Sequence, residues 1–103
     1  MRRVILAPLA RRDFAEIATF ITSRSGTVRI GRDFVQRLRA RCVEMASLPG
    51  VLGVARHDLG QDVRATFHGN YVILFCYEAG AMRILRVMEG HRDIKRQLRP
   101  EET

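Results

Sequence analysis

The sequence predicts an α+β fold in which an N-terminal strand and a helical hairpin pack on a small antiparallel sheet. Two long stretches in the first half repeat their apolar residues every three or four positions, which is typical of amphipathic helices. Three shorter stretches in the second half are apolar or alternating and lie between turn signals, which is typical of strands. The 103 residues suffice for one domain with a single core.

The first elements are a short strand and a helix. Residues 4–7 are apolar and predict a strand. Pro8 suits the opening turn of a helix, because its missing N–H costs nothing there. The helix is expected to end at Ser25-Gly26. Its apolar face comprises Leu9, Ala10, Phe14, Ile17, Ala18 and Ile21.

A second helix follows after a short turn. Thr27 can cap its start and Pro49-Gly50 stops it. Gly31 costs about 1 kcal/mol relative to alanine, which weakens the prediction for the first turn. Its apolar face comprises Ile30, Phe34, Leu38, Cys42, Met45 and Leu48. Two amphipathic helices joined by a Ser-Gly turn predict a helical hairpin.

The second half predicts a three-stranded antiparallel meander. Residues 51–61 have no clean period and are expected to form a loop. Strands are expected over 62–67, 71–77 and 82–88, joined by turns at 68–70 and 78–81. A charged tail begins at about residue 95, with a short helix expected near 94–98. The helices must cover one face of the sheet, since neither element can bury its apolar side alone.

The net charge of +7 favours an anionic partner: nucleic acid, an acidic protein or an anionic surface. No apolar run approaches the roughly 20 residues that a membrane span needs. The apolar run at the N-terminus ends at Ala10, which is too short for an export signal. We therefore expect a cytoplasmic protein that does not act at a membrane.

The cysteines and histidines predict neither a disulfide nor a metal site. Cys42 and Cys76 lie in apolar surroundings without a CxxC spacing, and are expected to be buried free thiols. The histidines lie apart and lack paired cysteines, so we expect no metal site.

The strongest catalytic candidate follows the last predicted strand and comprises Glu89, His91 and Arg92. A histidine with a carboxylate can act as acid and base, and an arginine can stabilise phosphate charge, as a ribonuclease requires. The alternative is a solvated, salt-bridged strand end, which the spacing alone favours. The densest basic stretch comprises Arg83, Arg86, Arg92, Lys95, Arg96 and Arg99. It suits phosphates, an acidic partner segment or plain solvation, of which the acidic segment is favoured.

Several motifs occur in a characteristic order. Arg12-Asp13-Phe14 lies in the first helix, Leu48-Pro49-Gly50 after the second, and Gly69-Asn70-Tyr71 before the central strand. The run 84–94 reads ILRVMEGHRDI. This order resembles the RelE/ParE superfamily of bacterial type II toxin–antitoxin toxins, and the closing run is most similar to ParE toxins.

The resemblance implies two alternative activities and no cofactor. RelE-like toxins cut messenger RNA on the ribosome, whereas ParE-like toxins poison DNA gyrase by trapping its cleaved-DNA state. Both kinds are neutralised by a cognate antitoxin, ParD-like or other, and reach operator DNA only through it. A third reading is an inactive member that acts only as an antitoxin-binding co-repressor.

The chain departs from the RelE pattern at several positions. RelE ribonucleases have an arginine directly after the tyrosine of the central strand, where this chain has Val72. Their lysine-bearing strand corresponds to 64–66, which lacks lysine, and their catalytic tyrosine falls near Leu98. We therefore expect a non-catalytic gyrase inhibitor. Its expected target-binding residues are Arg86, Arg92 and Asp93. The alternative for Arg92 and Asp93 is a structural role, in which they pair with each other and fix the strand end. Its expected antitoxin-binding residues are Phe14, Ile17, Phe34, Leu38 and Arg83.

Overall fold

A helical hairpin packs on one face of a five-stranded sheet in the computed structural model, which describes residues 2–90. The α+β class predicted from the sequence is confirmed. The elements in chain order are β1 (Arg3–Leu6), α1 (Pro8–Ser25), α2 (Val28–Ser47), β2 (Val54–Ala55), β3 (Arg64–His68), β4 (Tyr71–Glu78) and β5 (Ala81–Glu89). The helix expected near 94–98 and the charged tail lie outside the described residues.

The sheet has the order β1-β5-β4-β3-β2 and contains the predicted meander as β3, β4 and β5. It is mixed rather than purely antiparallel, because β1 pairs in parallel with β5. Parallel neighbours need a long crossover, and the helical hairpin lies within it. The loop expected over 51–61 is also partly wrong, since Val54 and Ala55 pair with β3. A strand of two residues is defined by its partner and has no period of its own.

The hairpin turn follows the predicted boundary between the helices. Gly26 takes the left-handed conformation with φ of 75°, and its N–H donates to the Thr22 carbonyl at 2.8 Å. Thr27 occupies the capping position of α2, but its side chain makes no capping hydrogen bond. Instead the Thr27 N–H donates to Ser25 Oγ at 3.2 Å. The predicted boundary is therefore confirmed and the predicted capping contact is wrong.

Gly31 permits the two helices to approach each other closely. A Cβ at this position would lie 2.6 Å from the Ala18 carbonyl oxygen and would also overlap Thr22 Oγ1. The low helix propensity of glycine is therefore offset by the close packing that its missing side chain permits.

The core lies mainly between the hairpin and the sheet. Its helical members include Phe14, Ile17, Leu38 and Cys42, which face Ile73, Phe75, Met82, Ile84 and Val87 of the strands. A second cluster on the opposite face comprises Ala65, Val72, Leu74 and Met88. The central strand β4 thus contributes buried side chains to both faces, as its continuous apolar run predicts.

Candidate functional site

The last strand extends beyond the strand that flanks it. β1 pairs with β5 from Ala81 to Ile84, and the Ala7 N–H donates to the Ile84 carbonyl at 2.9 Å. Pro8 then starts α1, so β1 does not continue alongside the rest of β5. Beyond Ile84, this edge of β5 therefore lies beside helix α1 and not beside another strand.

The carboxylate of Asp13 binds β5 from α1. Arg86 donates two hydrogen bonds to it, from Nε to Oδ2 at 2.7 Å and from Nη2 to Oδ1 at 3.0 Å. The Val87 N–H donates to the same Oδ2 at 2.9 Å. Among residues 2–90, Asp13 is the only buried residue with a charged side chain, at 5% exposure. The hydrogen bonds to Asp13 raise the pKa of Arg86 above its ordinary value.

The strand pairing is irregular beside this ion pair. Arg86 lies opposite Leu74, whereas Ile84 lies opposite Phe75, so Leu85 is an extra residue in β5. This β-bulge allows Ile84 and Val87, three positions apart, to join the same helix-covered core.

The end of β5 is also held from the side of the β3–β4 turn. The Gly90 N–H donates to the Asn70 carbonyl at 2.8 Å. A Cβ on Gly90 would lie 2.8 Å from Phe67 Cε1, so the backbone passes close to that ring. Glu89 lies opposite Tyr71 in the β4–β5 pairing. The predicted site residues His91, Arg92 and Asp93 lie outside the described residues.

A cleft of about 220 Å³ lies between α1 and this half of β5. Its lining residues are Asp13, Glu16, Ile17, Phe20, Tyr71, Arg86, Val87, Met88 and Glu89. The structure thus brings together three residues of the predicted sites, Ile17, Arg86 and Glu89. Because two nitrogens of the Arg86 guanidinium, Nε and Nη2, donate to Asp13, this side chain is bound within the protein.

Arg83, predicted to bind the antitoxin, makes a separate ion pair. It donates from Nε and Nη2 to the Glu78 carboxylate, at 2.7 and 3.2 Å. This hydrogen bonding lowers the pKa of Glu78 from its ordinary value. The pair spans the turn between β4 and β5 and involves neither helix.

The other four predicted antitoxin contacts lie on the inner side of the hairpin. Phe14, Ile17 and Leu38 are buried against the sheet, and Leu38 has no exposed surface. Phe34 is partly buried, with its ring centroid 5.5 Å from that of Tyr71. The structure places these side chains in or beside the core rather than on a free docking surface, because the amphipathic stripe is the one that covers the sheet.

The outer side of the hairpin carries a groove that the predicted site residues did not include. Its volume is about 550 Å³, and its lining residues are Ala18, Thr19, Thr22, Val28, Arg32, Val35, Gln36 and Arg39. Arg32 and Arg39 form no ion pair with any residue of 2–90. The signal in the sequence was a repeat of seven: Val28 with Val35 and Arg32 with Arg39 share one face of α2.

Both cysteines are free thiols, as predicted. Cys42 is buried, whereas Cys76 is only partly buried, so the prediction of burial is wrong for Cys76. Burial raises the pKa of Cys42 to about 11, and chiefly burial also raises the pKa of the less enclosed Cys76. Within residues 2–90, no three side chains of His, Cys, Asp or Glu are grouped to hold a metal ion. No helix in the same range is long and apolar enough to cross a membrane.

Comparison with known protein families gives a match over most of the chain. Residues 4–94 match the family model described as the ParE toxin of the type II toxin–antitoxin system, parDE. The match takes in both helices, strands β2 to β5 and the closing run of the sequence. No curated protein sequence matches the chain. The resemblance drawn from the sequence motifs is thus confirmed, and the chain belongs to the ParE toxin family of type II toxin–antitoxin systems.

Proposed function

We propose that this protein is a cytoplasmic toxin that binds DNA gyrase, stabilises the cleaved gyrase–DNA complex and so blocks replication. A cognate antitoxin neutralises it. The observation that carries the proposal is the family match over residues 4–94, which includes the closing run with Arg92 and Asp93. Those two residues are the proposed target contacts. The protein itself performs no chemistry in this mechanism, because the enzyme that cleaves the DNA is gyrase.

The side chains at the RelE-like positions support a non-catalytic role. Val72 replaces the arginine after the central tyrosine and is fully buried in the sheet. Arg64, on the strand where RelE toxins carry lysine, donates to the carbonyls of Leu52 and Gly53 at 2.6 and 2.8 Å. Its guanidinium therefore holds the loop between α2 and β2. Val72 cannot act as a base, and Arg64 is already hydrogen-bonded to backbone carbonyls, so neither residue supplies a group for RNA cleavage.

The outer groove of the hairpin is the proposed site of antitoxin binding. Its wall includes Val28, which is 62% exposed, and Val35, while Arg32 and Arg39 offer charges without partners among residues 2–90. An amphipathic acidic segment matches both features, since it buries its apolar face and pairs its carboxylates with the arginines. Such segments commonly order when they bind.

The target is tested with purified protein, gyrase, supercoiled plasmid and ATP, scoring linear DNA after the enzyme is denatured. Ribosome-programmed messenger RNA is incubated with the protein in parallel. Linear DNA with intact RNA is the expected result. Cut RNA with unaffected plasmid would overturn the proposal and make Glu89, His91 and Arg92 the catalytic candidates. A folded Arg92→Ala variant that remains fully toxic would remove Arg92 from the target contacts.

The antitoxin site is tested by reversing the charge of the groove. The double variant R32E/R39E is expected to weaken antitoxin binding by about a hundredfold, because two attractive charge contacts become repulsive. The matched control R37E/R41E makes the same charge change on the same helix outside the groove lining. Calorimetric titration measures both affinities. Equal losses in the two variants would show a general charge effect and not a defined groove.

A further inference from the structure

We infer that Asp13 and Arg86 are positioning residues of the toxin. Together they fix the C-terminal half of β5 against α1, and so set where the chain enters the closing run 91–94. The consequence for toxicity rests on the proposed function, whereas the fixed geometry does not. Arg86 then acts through Asp13, in place of the direct target contact expected from the sequence.

The first support is the position of the ion pair at the unpaired edge of β5. Beyond Ile84, β5 no longer pairs with β1, and the Val87 N–H donates to the Asp13 carboxylate of α1. Arg86 binds the same carboxylate through two nitrogens. Three hydrogen bonds therefore converge on Asp13, and they orient the strand and the helix relative to each other.

The second support is the contact on the opposite side of the strand end. Gly90 is hydrogen-bonded to Asn70 and lies close to the Phe67 ring. The last residues of β5 are thus held by α1 on one side and by the β3–β4 turn on the other. This arrangement leaves little freedom in the direction of the backbone at Gly90, directly before His91.

A gain in stability alone does not explain the buried ion pair of Asp13 and Arg86. Burying two charges costs desolvation energy, and apolar residues of similar volume often stabilise a protein equally well. A bidentate pair, by contrast, specifies an orientation. Asp13 is also too deeply buried to touch a macromolecular target on the surface. An effect of Asp13 on toxicity must therefore be transmitted through β5.

The test uses the full-length variant Asp13→Asn. Asparagine keeps the size of the side chain and an oxygen for the Val87 N–H, but it removes the charge that binds Arg86. The matched control is Asp33→Asn, the same change on α2 in a side chain with 47% exposure and a loose ion pair at 3.8 Å. Each variant is measured for amide hydrogen exchange, growth arrest on expression and antitoxin affinity.

We expect Asp13→Asn to speed amide exchange at residues 86–90 by about tenfold or more, with α2 unchanged. Growth arrest should fall by about tenfold, measured as the inducer level needed, since misplacing a contact by about 1 Å can cost more than that. Antitoxin affinity should stay within about twofold, because the groove does not include Asp13. Asp33→Asn should match the wild-type protein in all three measurements.

Unchanged exchange at residues 86–90 would overturn the inference whatever the target. Faster exchange with undiminished growth arrest would overturn the positioning role. A parallel loss of antitoxin affinity would reduce the pair to general support of the fold. If Asp13→Asn does not fold, Arg86→Lys is measured in the same way. Lysine keeps the positive charge but cannot donate the two parallel hydrogen bonds of the guanidinium. A fully toxic Arg86→Lys would favour direct charge contact and overturn the inference.

The wild-type protein separates this inference from the proposed function. Growth arrest by the wild type without linear DNA in the gyrase assay would reject gyrase as the target. Exchange and growth arrest in Asp13→Asn would still decide the positioning role. A wild type that arrests no growth rejects the toxin function, and amide exchange then decides whether the pair fixes the strand.

Discussion

Two arginines on β5 make the same contact in two different environments. Arg83 and Arg86 each donate from Nε at 2.7 Å to a carboxylate, and each adds a second hydrogen bond from Nη2. The side chains of Arg83 and Glu78 are 34% and 42% exposed, whereas those of Arg86 and Asp13 are 18% and 6% exposed. The Asp13–Arg86 pair is therefore much more buried than the Glu78–Arg83 pair.

The partners also differ in their distance along the chain. Glu78 and Arg83 are five residues apart and flank one turn, so the strand pairing already brings them together. Asp13 and Arg86 are 73 residues apart and connect the helical hairpin to the sheet. A similar pair of hydrogen bonds therefore spans a single turn in one case and connects a helix to the sheet in the other.

The largest expected difference between the pairs is in stability. Arg86→Ala leaves the Asp13 carboxylate buried with only the Val87 N–H, and should lower the free energy of unfolding by about 3 kcal/mol. Arg83→Ala leaves Glu78 in contact with water, and its unfolding midpoint should equal that of the wild type within error. Urea unfolding followed by circular dichroism measures both. Similar losses for the two variants would show that burial does not separate these pairs.

A smaller difference is expected in the response to salt. Double-mutant cycles with Asp13→Asn and Arg86→Met, and with Glu78→Gln and Arg83→Met, isolate the two coupling energies. At about 1 M salt the screening length falls to about 3 Å, which weakens the exposed coupling more than the buried one. The Arg83 coupling should therefore vanish while most of the Arg86 coupling persists. The comparison fails if both couplings fall by the same fraction.

Local patterns predicted most of the architecture. The three-to-four spacing from Leu9 to Ile21 and from Ile30 to Leu48 identified both helices, and the turn at Ser25-Gly26 separated them where the structure does. The meander followed from three short runs and their turn residues. The parallel pairing of β1 and the two-residue β2 were missed, because both depend on partners far along the chain and not on a local period.

The predicted sites show the same limit. Arg83 and Arg86 stood out as charges within an apolar strand, but a sequence does not show which carboxylate each one binds. The stripe with Phe14 and Leu38 was also correctly located on the helices. Most of the stripe contacts the sheet and is covered, but three of its predicted members, Leu9, Ile30 and Leu48, are exposed. Residues outside the regular stripe, such as Val28 and Val35, line the free groove.

The smallest expected difference concerns pH and the exposed pair. Hydrogen bonding to Arg83 lowers the pKa of Glu78 in the folded protein. The folded state then binds fewer protons than the unfolded state just below the usual carboxyl pKa. The contribution of Glu78 to stability is therefore present above that value and is lost as the pH falls through the folded pKa.

The direction of this pH dependence can be checked with Arg83→Gln, which removes the hydrogen bonds that lower the pKa of Glu78. Urea midpoints of the wild type and the variant are compared from neutral pH downward. Any gap at neutral pH should close as Glu78 becomes protonated, because the pair then no longer exists in the wild type. A gap that widens on acidification would mean that Arg83 stabilises the protein through a contact other than the Glu78 carboxylate.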